Sequence, residues 1–393
     1  FKALLNILTA LIITITIYNI YLFMEKSERT QVMKIICKKS NLTNSINIVL
    51  KAVPSKTTMP ILECIVIEAD ETIKLTTNDT EIGIKTQVEG DIIEKGSIAI
   101  QAKVFSEIIR KLPDEEVIIE SDYDYNTTIL CGKAKFNISG NSSDEFPSLP
   151  EITKDKCVVI SQFGLKEIIR QTVFSIADNE ANKIMTGELF EIENNNLKVV
   201  SLDGHRISIR NLELSESYDS IKVIVPGKTL VEISKILSGE ADEKVNIFFS
   251  DKHILFEFND TIVLSRLIEG EYFRINQMLS SDYETKFTVN KKEFLECLDR
   301  ATLLIKESEK KPIIINVSEN SMELKINSAI GSMNEDIDIT KEGADIIIGF
   351  NPKFLIDALR VIDDEEIDIY LLNPKAPCFI RDKEGKYIYL ILP

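Results

Sequence analysis

Lys103 to Leu112 reads KVFSEIIRKL, Lys228 to Leu237 reads KTLVEISKIL, and Lys353 to Ile362 reads KFLIDALRVI. Successive copies stand 125 residues apart (228 − 103 and 353 − 228). In each, apolar side chains recur at the i, i+3, i+4, i+7 spacing of one helical face. They are Phe105, Ile108, Ile109 and Leu112; Leu230, Ile233 and Leu237, with Ser234 as the lapse; and Leu355, Ala358, Leu359 and Ile362. That stripe predicts a buried face. At about 100° per residue the far side carries Lys103, Glu107, Arg110, then Lys228, Glu232, Lys235, then Lys353, Asp357, Arg360. A core requires only the apolar side to recur, so the repeated charge order points to three copies of one unit presenting similar helices to a shared surface. The plainer reading is three solvated faces braced by Lys/acid pairs at i, i+4, each contributing roughly a few tenths of a kcal/mol.

Outward from these helices the same plan repeats. A strand at Lys34 to Cys37 leads into a helix at Leu42 to Ala52; Cys157 to Ile160 leads into Leu165 to Ile176, and Lys286 to Val289 into Phe294 to Ile305. Alternating arms from Ile61, Thr186 and Pro312 predict hairpins with tips at Asp70, Asn194 to Asn196 and Glu319 to Ser321. Behind the second helix comes an acidic turn and a strand: Asp114, Glu115, Glu116, Val117, then Asp242, Glu243, Lys244, Val245, then Asp364, Glu365, Glu366, Ile367. Repeats of this size each hold a core, unlike short solenoid repeats. The expected class is α+β, each domain setting two helices on antiparallel sheet, with domains at 33–150, 151–280 and 281–393.

Composition narrows the functions. The chain has 393 residues, 46 basic against 63 acidic, net −17, with no basic tail. Conventional DNA readers are basic. The six cysteines (Cys37, Cys64, Cys131, Cys157, Cys297, Cys378) form no CxxC pair and lie in apolar runs, which reads as buried reduced thiols. Two isolated histidines, His205 and His253, are too few for a His-based metal centre, and no GxxxxGKS/T, GxGxxG, HExxH or GxSxG occurs. No cofactor is expected.

Ala3 to Met24 is a run of 22 uncharged residues, long enough to span a bilayer. The chain begins with Phe1, the run is rich in residues that A/T-rich codons specify, and Met33 precedes the first strand of the repeat. The expectation is that 1–32 is a non-native extension. Without its three basic and two acidic residues the charge is 43 − 61, net −18.

Only the second repeat carries Leu202, Asp203, Gly204, His205, Arg206; the corresponding places read Asn78, Asp79, Thr80, Glu81 and Ser328, Ala329, Ile330. His205 beside Asp203 is a candidate general base, and a structured turn with a satisfied histidine is the alternative. The apolar end Tyr387 to Pro393 (YIYLILP) is a closing strand or one wall of a peptide groove. An acidic protein with outward lysines is physically coherent if the helices line a closed hole. DNA is then retained by topology, weak phosphate contacts permit sliding, and negative charge outside keeps DNA off the wrong surface.

Met59-Pro60-Ile61-Leu62, Phe146-Pro147-Ser148-Leu149-Pro150, Asp203-Gly204-His205-Arg206, Val225-Pro226, Gly349-Phe350-Asn351 and Leu392-Pro393 occur in that order. With the triple repeat, these make residues 33–393 resemble the bacterial DNA polymerase III beta subunit family, the sliding clamps. The resemblance implies a non-enzymatic, cytoplasmic processivity factor: a head-to-tail homodimer encircling double-stranded DNA, with two helices per domain on the channel. It places Lys56, Lys103, Asn179 and Lys228 at DNA, and the repeated helix adds Lys353. Its peptide pocket, for the DNA polymerase III alpha subunit, the clamp loader and other proteins with a clamp-binding motif, would comprise Met185, Leu202, Gly204, His205, Arg206, Ile207, Phe273, Gln277, Met278, Asn351, Phe354, Lys375, Pro377, Leu390, Ile391, Leu392 and Pro393. Its dimer contact would join Lys133, Lys135, Phe136 and Ile138 to Leu303, Leu304, Glu335 and Asp336.

The sequence departs from the family at Phe273-Arg274-Ile275-Asn276-Gln277, where many members have a run like Pro-Asp-Tyr-Arg-Arg. Lys375 adds a charge to a wall usually apolar or small, and relatives continue a few residues past the position of Pro393. The competing readings are an enzyme using Asp203 and His205, and a membrane-anchored repeat protein held by residues 3–24.

Overall fold

A computed structural model describes residues 33–178, 182–305 and 311–393; the expectations placed on 1–32 and on Asn179 lie outside the described residues. Among the described residues six α-helices occur: α1 (Lys39–Val49), α2 (Ala102–Lys111), α3 (Gln162–Arg170), α4 (Gly227–Ile236), α5 (Lys291–Thr302) and α6 (Pro352–Val361). None is long and apolar enough to cross a membrane. Each repeat contributes two, packed as the pairs α1/α2, α3/α4 and α5/α6.

The thrice-repeated stretch is helical in all copies, one residue earlier than the apolar spacing predicts. Phe105, Leu230, Ile233 and Leu359 are 0 % exposed, so the stripe is core; Ile108 is only half-buried. Leu112, Leu237 and Ile362, predicted as the last helical residues, have left the helix for extended backbone yet remain buried. The first helix of each repeat starts three residues before its predicted position, at Lys39, Gln162 and Lys291. The cause is tertiary. The N–H groups of Lys39, Gln162 and Lys291 donate to the carbonyls of Glu115, Glu243 and Glu365 at 3.1, 2.8 and 2.9 Å. Each acidic turn thus caps the opening helix of its own repeat, satisfying an N–H that has no partner inside the helix. Ser161 and Asn290 add side-chain caps, accepting from Gly164 and Glu293 N–H at 3.0 Å each.

The strand that follows the acidic turn pairs antiparallel with the strand that opens the repeat. Met33–Lys38 lies against Glu116–Ser121, Cys157–Ser161 against Lys244–Phe249, and Thr285–Asn290 against Glu366–Leu371. The first and third predicted hairpins form, Cys64–Ala69 with Ile73–Asn78 and Ile313–Ser318 with Ser321–Asn327. In the second repeat Gly187–Leu202 forms one long strand, interrupted in register at Asn194, and pairs along Arg206–Pro226. The predicted tip is where that ladder slips: Asn194, at φ 55°, lies opposite Tyr218, and Asn196 opposite Glu213.

The chain gathers into two compact units. One runs through Glu151 and takes in Glu257–Leu264; the other comprises Ile152–Phe256 and Ser265–Pro393. In the first, Met33–Lys38 lies inside a five-stranded sheet that ends on Ala134–Ser139. There too Gln87 N–H donates to Asp260 O at 3.1 Å, and the Thr86 and Thr261 hydroxyls meet at 2.8 Å. In the second unit the second and third repeats share one ten-stranded sheet, joined where Arg206–Arg210 pairs with Tyr387–Ile391. All six cysteines are free thiols, five buried and Cys157 half-buried.

Candidate functional site

In the second unit the turn Asp203 to Arg206 connects the ladder residues Leu202 and Ile207. Gly204 has φ 88°, a left-handed conformation natural to glycine, and no atom lies within 4 Å of where a Cβ would stand. Asp203 closes the turn: its Oδ1 accepts the N–H groups of His205 (2.9 Å) and Arg206 (3.1 Å), and its Oδ2 takes Arg206 Nε at 3.0 Å. This corrects the general-base expectation, because the carboxylate is occupied by backbone and guanidinium. The His205 ring instead packs on Phe354, centroids 5.9 Å apart.

Arg206 is buried, and its charge is met on several sides. Nη1 reaches Asp357 Oδ2 at 2.7 Å, Nη2 donates to Phe174 O at 2.6 Å, and the guanidinium lies 4.7 Å from the Phe354 ring centroid. A buried guanidinium with each face and edge engaged fixes its neighbours. Beside it Arg206 lies opposite Ile391 and Ile207 opposite Leu390, while Leu392 N–H donates to His205 O at 2.9 Å. Behind the turn, Leu202, Ile207 and Leu390 belong to one apolar cluster with Tyr272, Ile275 and Phe379, against which Met185 and Phe273 are half-buried.

Most of the predicted pocket residues are therefore brought together. Gln277 and Met278 stand exposed at the end of the turn that Ile275 anchors in the cluster. Asn351 caps α6, its Oδ1 accepting from Lys353 N–H at 3.1 Å. Lys375 and Pro377 precede the strand Cys378–Arg381, whose Cys378 lies opposite Ile391; Lys375 is exposed, as are Leu392 and Pro393. Sequence reading missed Phe174 and Asp357. The available signal was that Asp357 stands where the other copies of the helix have glutamate.

Below the cluster, Glu188 is 0 % exposed and neither carboxyl oxygen has a hydrogen-bond partner. The neighbouring Thr172 hydroxyl is spent on Ile168 O at 2.6 Å. Burial holds this carboxyl well above the usual carboxylate range. Above the unfolded-state value of about 4.3, folding then takes up a proton, so stability is complete below that pH and falls as pH rises toward the folded-state pKa. Glu188→Gln, which has no proton to take up, is expected to raise the unfolding temperature at pH 8 by roughly 2–4 °C, the effect of about 1 kcal/mol in domains of this size, and to change it little at pH 4. Thermal melts across that range check this.

The helix faces behave differently from the bracing expectation. Glu107 pairs with Arg110 and Glu232 with Lys235, each three residues ahead, and Asp357 pairs with Arg206. Lys103, Lys228 and Lys353 are exposed at the same place in their helices, and among the described residues no ion pair engages Lys103 or Lys353. Lys56 is also exposed.

Among the strands with an open side in the described residues, two carry the residues expected at the dimer contact. Ala134–Ser139 is the outer strand of its sheet, with Phe136 40 % exposed and Lys133 and Lys135 open to solvent. Ser332 to Asp338 pairs only with Ser321–Asn327, since pairing with Thr285–Asn290 begins at Ile339. It carries Glu335, Asp336 and Asp338, and Leu303 nearby is 77 % exposed; Leu304 Cδ2 lies 3.6 Å from the Cβ position of Gly331. Glu335 is held low by its ion pair with Arg300.

Comparison with known families matches the N-terminal, central and C-terminal domains of the DNA polymerase III beta subunit at residues 33–150, 159–273 and 276–393. The chain belongs to that family. It is 35 % identical over 373 residues to the beta sliding clamp of Staphylococcus epidermidis, covering 92 % of this chain and 99 % of the relative. It is 37 % identical over 375 residues to that of Bacillus subtilis. Among solved structures, a putative DNA polymerase III beta subunit from Eubacterium rectale superposes with a TM-score of 0.90 at 65 % identity, covering 92 % of this chain and 98 % of that one. The Bacillus subtilis sliding clamp superposes with a TM-score of 0.89 at 37 % identity, with the same coverage. Membership of the beta-clamp family places the chain with a non-catalytic subunit, and the Asp203/His205 enzyme reading gains nothing from the geometry.

Proposed function

We propose that this chain is the processivity subunit of a replicative polymerase: a homodimeric ring that encircles duplex DNA, slides on it and tethers the polymerase. Its three domains are taken as 33–150, 151–280 and 281–393. The observation that carries the reading is how repeats join. The strands that follow each repeat's hairpin region begin at Ile82, Arg206 and Ser332, and the last strands of the repeats at Ala134, Thr261 and Tyr387. The strand from Ile82 in the first repeat lies alongside the last strand of the second, through Gln87, Thr86, Asp260 and Thr261, and Arg206–Arg210 pairs with Tyr387–Ile391. One strand of each kind remains open, Ser332 to Asp338 and Ala134–Ser139. A second copy offers the complement of both, so the same junction made twice more, head to tail, closes a band of six domains. Lys133 and Lys135 on one edge suit Glu335, Asp336 and Asp338 on the other, and Phe136 and Ile138 suit Leu303 and Leu304.

The exposed Lys56, Lys103, Lys228 and Lys353 supply weak phosphate contacts that hold DNA without reading bases, and Asn179 is assigned to the same surface. The cluster at Met185, Leu202, Ile207, Phe273 and Leu390, rimmed by His205, Phe354 and Leu392, receives an extended apolar peptide from the polymerase alpha subunit, the clamp loader or another partner. Gly204, Arg206, Asn351, Gln277, Met278, Lys375, Pro377, Ile391 and Pro393 complete its floor and rim, and the protein works in the cytoplasm. The test is mass in solution together with retention on DNA. A dimer that stays on nicked circles and leaves linear fragments supports the reading, whereas a lone subunit, or equal loss from both substrates, overturns it.

A further inference from the structure

We infer that Asp357 is a positioning residue for the peptide site, acting through Arg206. The inference rests on the peptide-binding reading above. In the repeated helix the acids Glu107 and Glu232 pair within their own helices, whereas Asp357 leaves its helix and meets Arg206 Nη1 at 2.7 Å. Asp357 lies three residues after Phe354, on the same face of α6, so the carboxylate and the ring meet the guanidinium together. Arg206 is held from the other side by Asp203 at 3.0 Å and by Phe174 O at 2.6 Å, and the Phe174 ring lies 5.3 Å from the guanidinium. Phe174 in turn packs on Tyr389, which belongs to the strand whose Leu390 enters the apolar cluster. Arg206 is thus a junction where the turn of the second repeat, the helix of the third and the closing strand are tied, and Asp357 is the tie to the helix.

Physically, an Arg between two carboxylates and an aromatic face has one favoured orientation, because the planar fork satisfies fixed directions. With Asp357 in place, Phe354 and the His205 ring, 5.9 Å apart, are set as one wall before any peptide arrives. Preformed walls spare the binder the ordering cost. Without the Asp357 carboxylate, Arg206 keeps Asp203 and the Phe174 carbonyl but no longer fixes α6 to the turn, and each peptide must order Phe354 anew.

The test uses the full chain and a labelled clamp-binding peptide of the polymerase alpha subunit, read by fluorescence anisotropy. Asp357→Asn, which keeps an acceptor oxygen but removes the charge, is expected to weaken the peptide by about ten-fold at most, as for loss of charge assistance to the hydrogen bond. The melting temperature and dimer mass should stay near wild type, and Asp357→Glu should recover much of the loss. The His205 ring signals in an NMR spectrum should shift in Asp357→Asn and return in Asp357→Glu, which a loss of general stability would not produce. Wild-type-like peptide affinity in Asp357→Asn overturns the inference while leaving the peptide site intact. A wild-type chain that fails to bind the peptide overturns the peptide-site reading itself. Should Asp357→Asn melt early, the titration is repeated at a temperature where circular dichroism shows that variant fully folded: weak binding by the folded variant supports the inference, and wild-type affinity overturns it.

Discussion

Lys133→Glu, Lys135→Glu and Phe136→Ser made together are expected to convert the dimer into single subunits that leave nicked circles as fast as linear fragments. The three residues lie on or beside the open strand Ala134–Ser139, with Phe136 40 % exposed. Reversing both lysines places like charges opposite Glu335, Asp336 and Asp338, and such juxtapositions cost several kcal/mol. Removing the ring of Phe136 adds the loss of its burial, of order 1–2 kcal/mol. Self-association should fall by at least about a hundred-fold, which corresponds to roughly 2.8 kcal/mol. Analytical ultracentrifugation gives the mass and a gel-filtration assay on nicked plasmid the retention. The fold of each subunit should survive, because these side chains face solvent and none belongs to the buried core. A dimer that persists unchanged would move the contact elsewhere on the molecule.

Lys103→Glu, Lys228→Glu and Lys353→Glu together act on a different step. These exposed lysines occupy the same helical position in three repeats, so a dimer loses six positive charges and gains six negative ones. If each contacts one phosphate, the slope of log affinity against log salt flattens by up to about 5, from 0.9 per contact over six contacts. Loading onto circular DNA should drop roughly ten- to a hundred-fold at low salt, and the difference should shrink as salt rises. Dimer mass is expected to be unchanged, which separates this variant from the strand-edge variant. Equal loading at low salt would remove the repeated helices from the DNA surface.

The helical stretch at Lys103 was legible from the residues alone because an apolar stripe at 3.6-residue spacing is local, and its recurrence announced three related units without any contact being known. The hairpins at Asp70 and Glu319 were equally local, since alternation and turn residues suffice. The residues that cluster around the Asp203 to Arg206 turn were named by family resemblance, but the contacts that fix them were not. Phe174 and Asp357 reach Arg206 from 32 and 151 positions away along the chain, and nothing in the neighbourhood of either residue signals that partner. Charge pairing on the helices turned on a related point. Spacing shows which charges can meet, but Glu107 and Glu232 found a cation one turn ahead, and Asp357 found a better one in another repeat.

By itself the amino-acid order determined the triplication, the α+β class, the identity of the buried helical faces and the acidic surface, because each follows from periodicity or from charge summed along the chain. Tertiary structure decided where α1, α3 and α5 begin, since their first N–H groups are taken by carbonyls about 75 to 80 residues downstream. It also decided that Asp203 closes a turn in place of orienting His205 as a base, and that Ala134–Ser139 and Ser332 to Asp338 are among the strands with an open side. Hydrogen-bond partners and free edges are properties of what lies across space from a residue, and a linear pattern carries no record of that neighbour until the chain has folded.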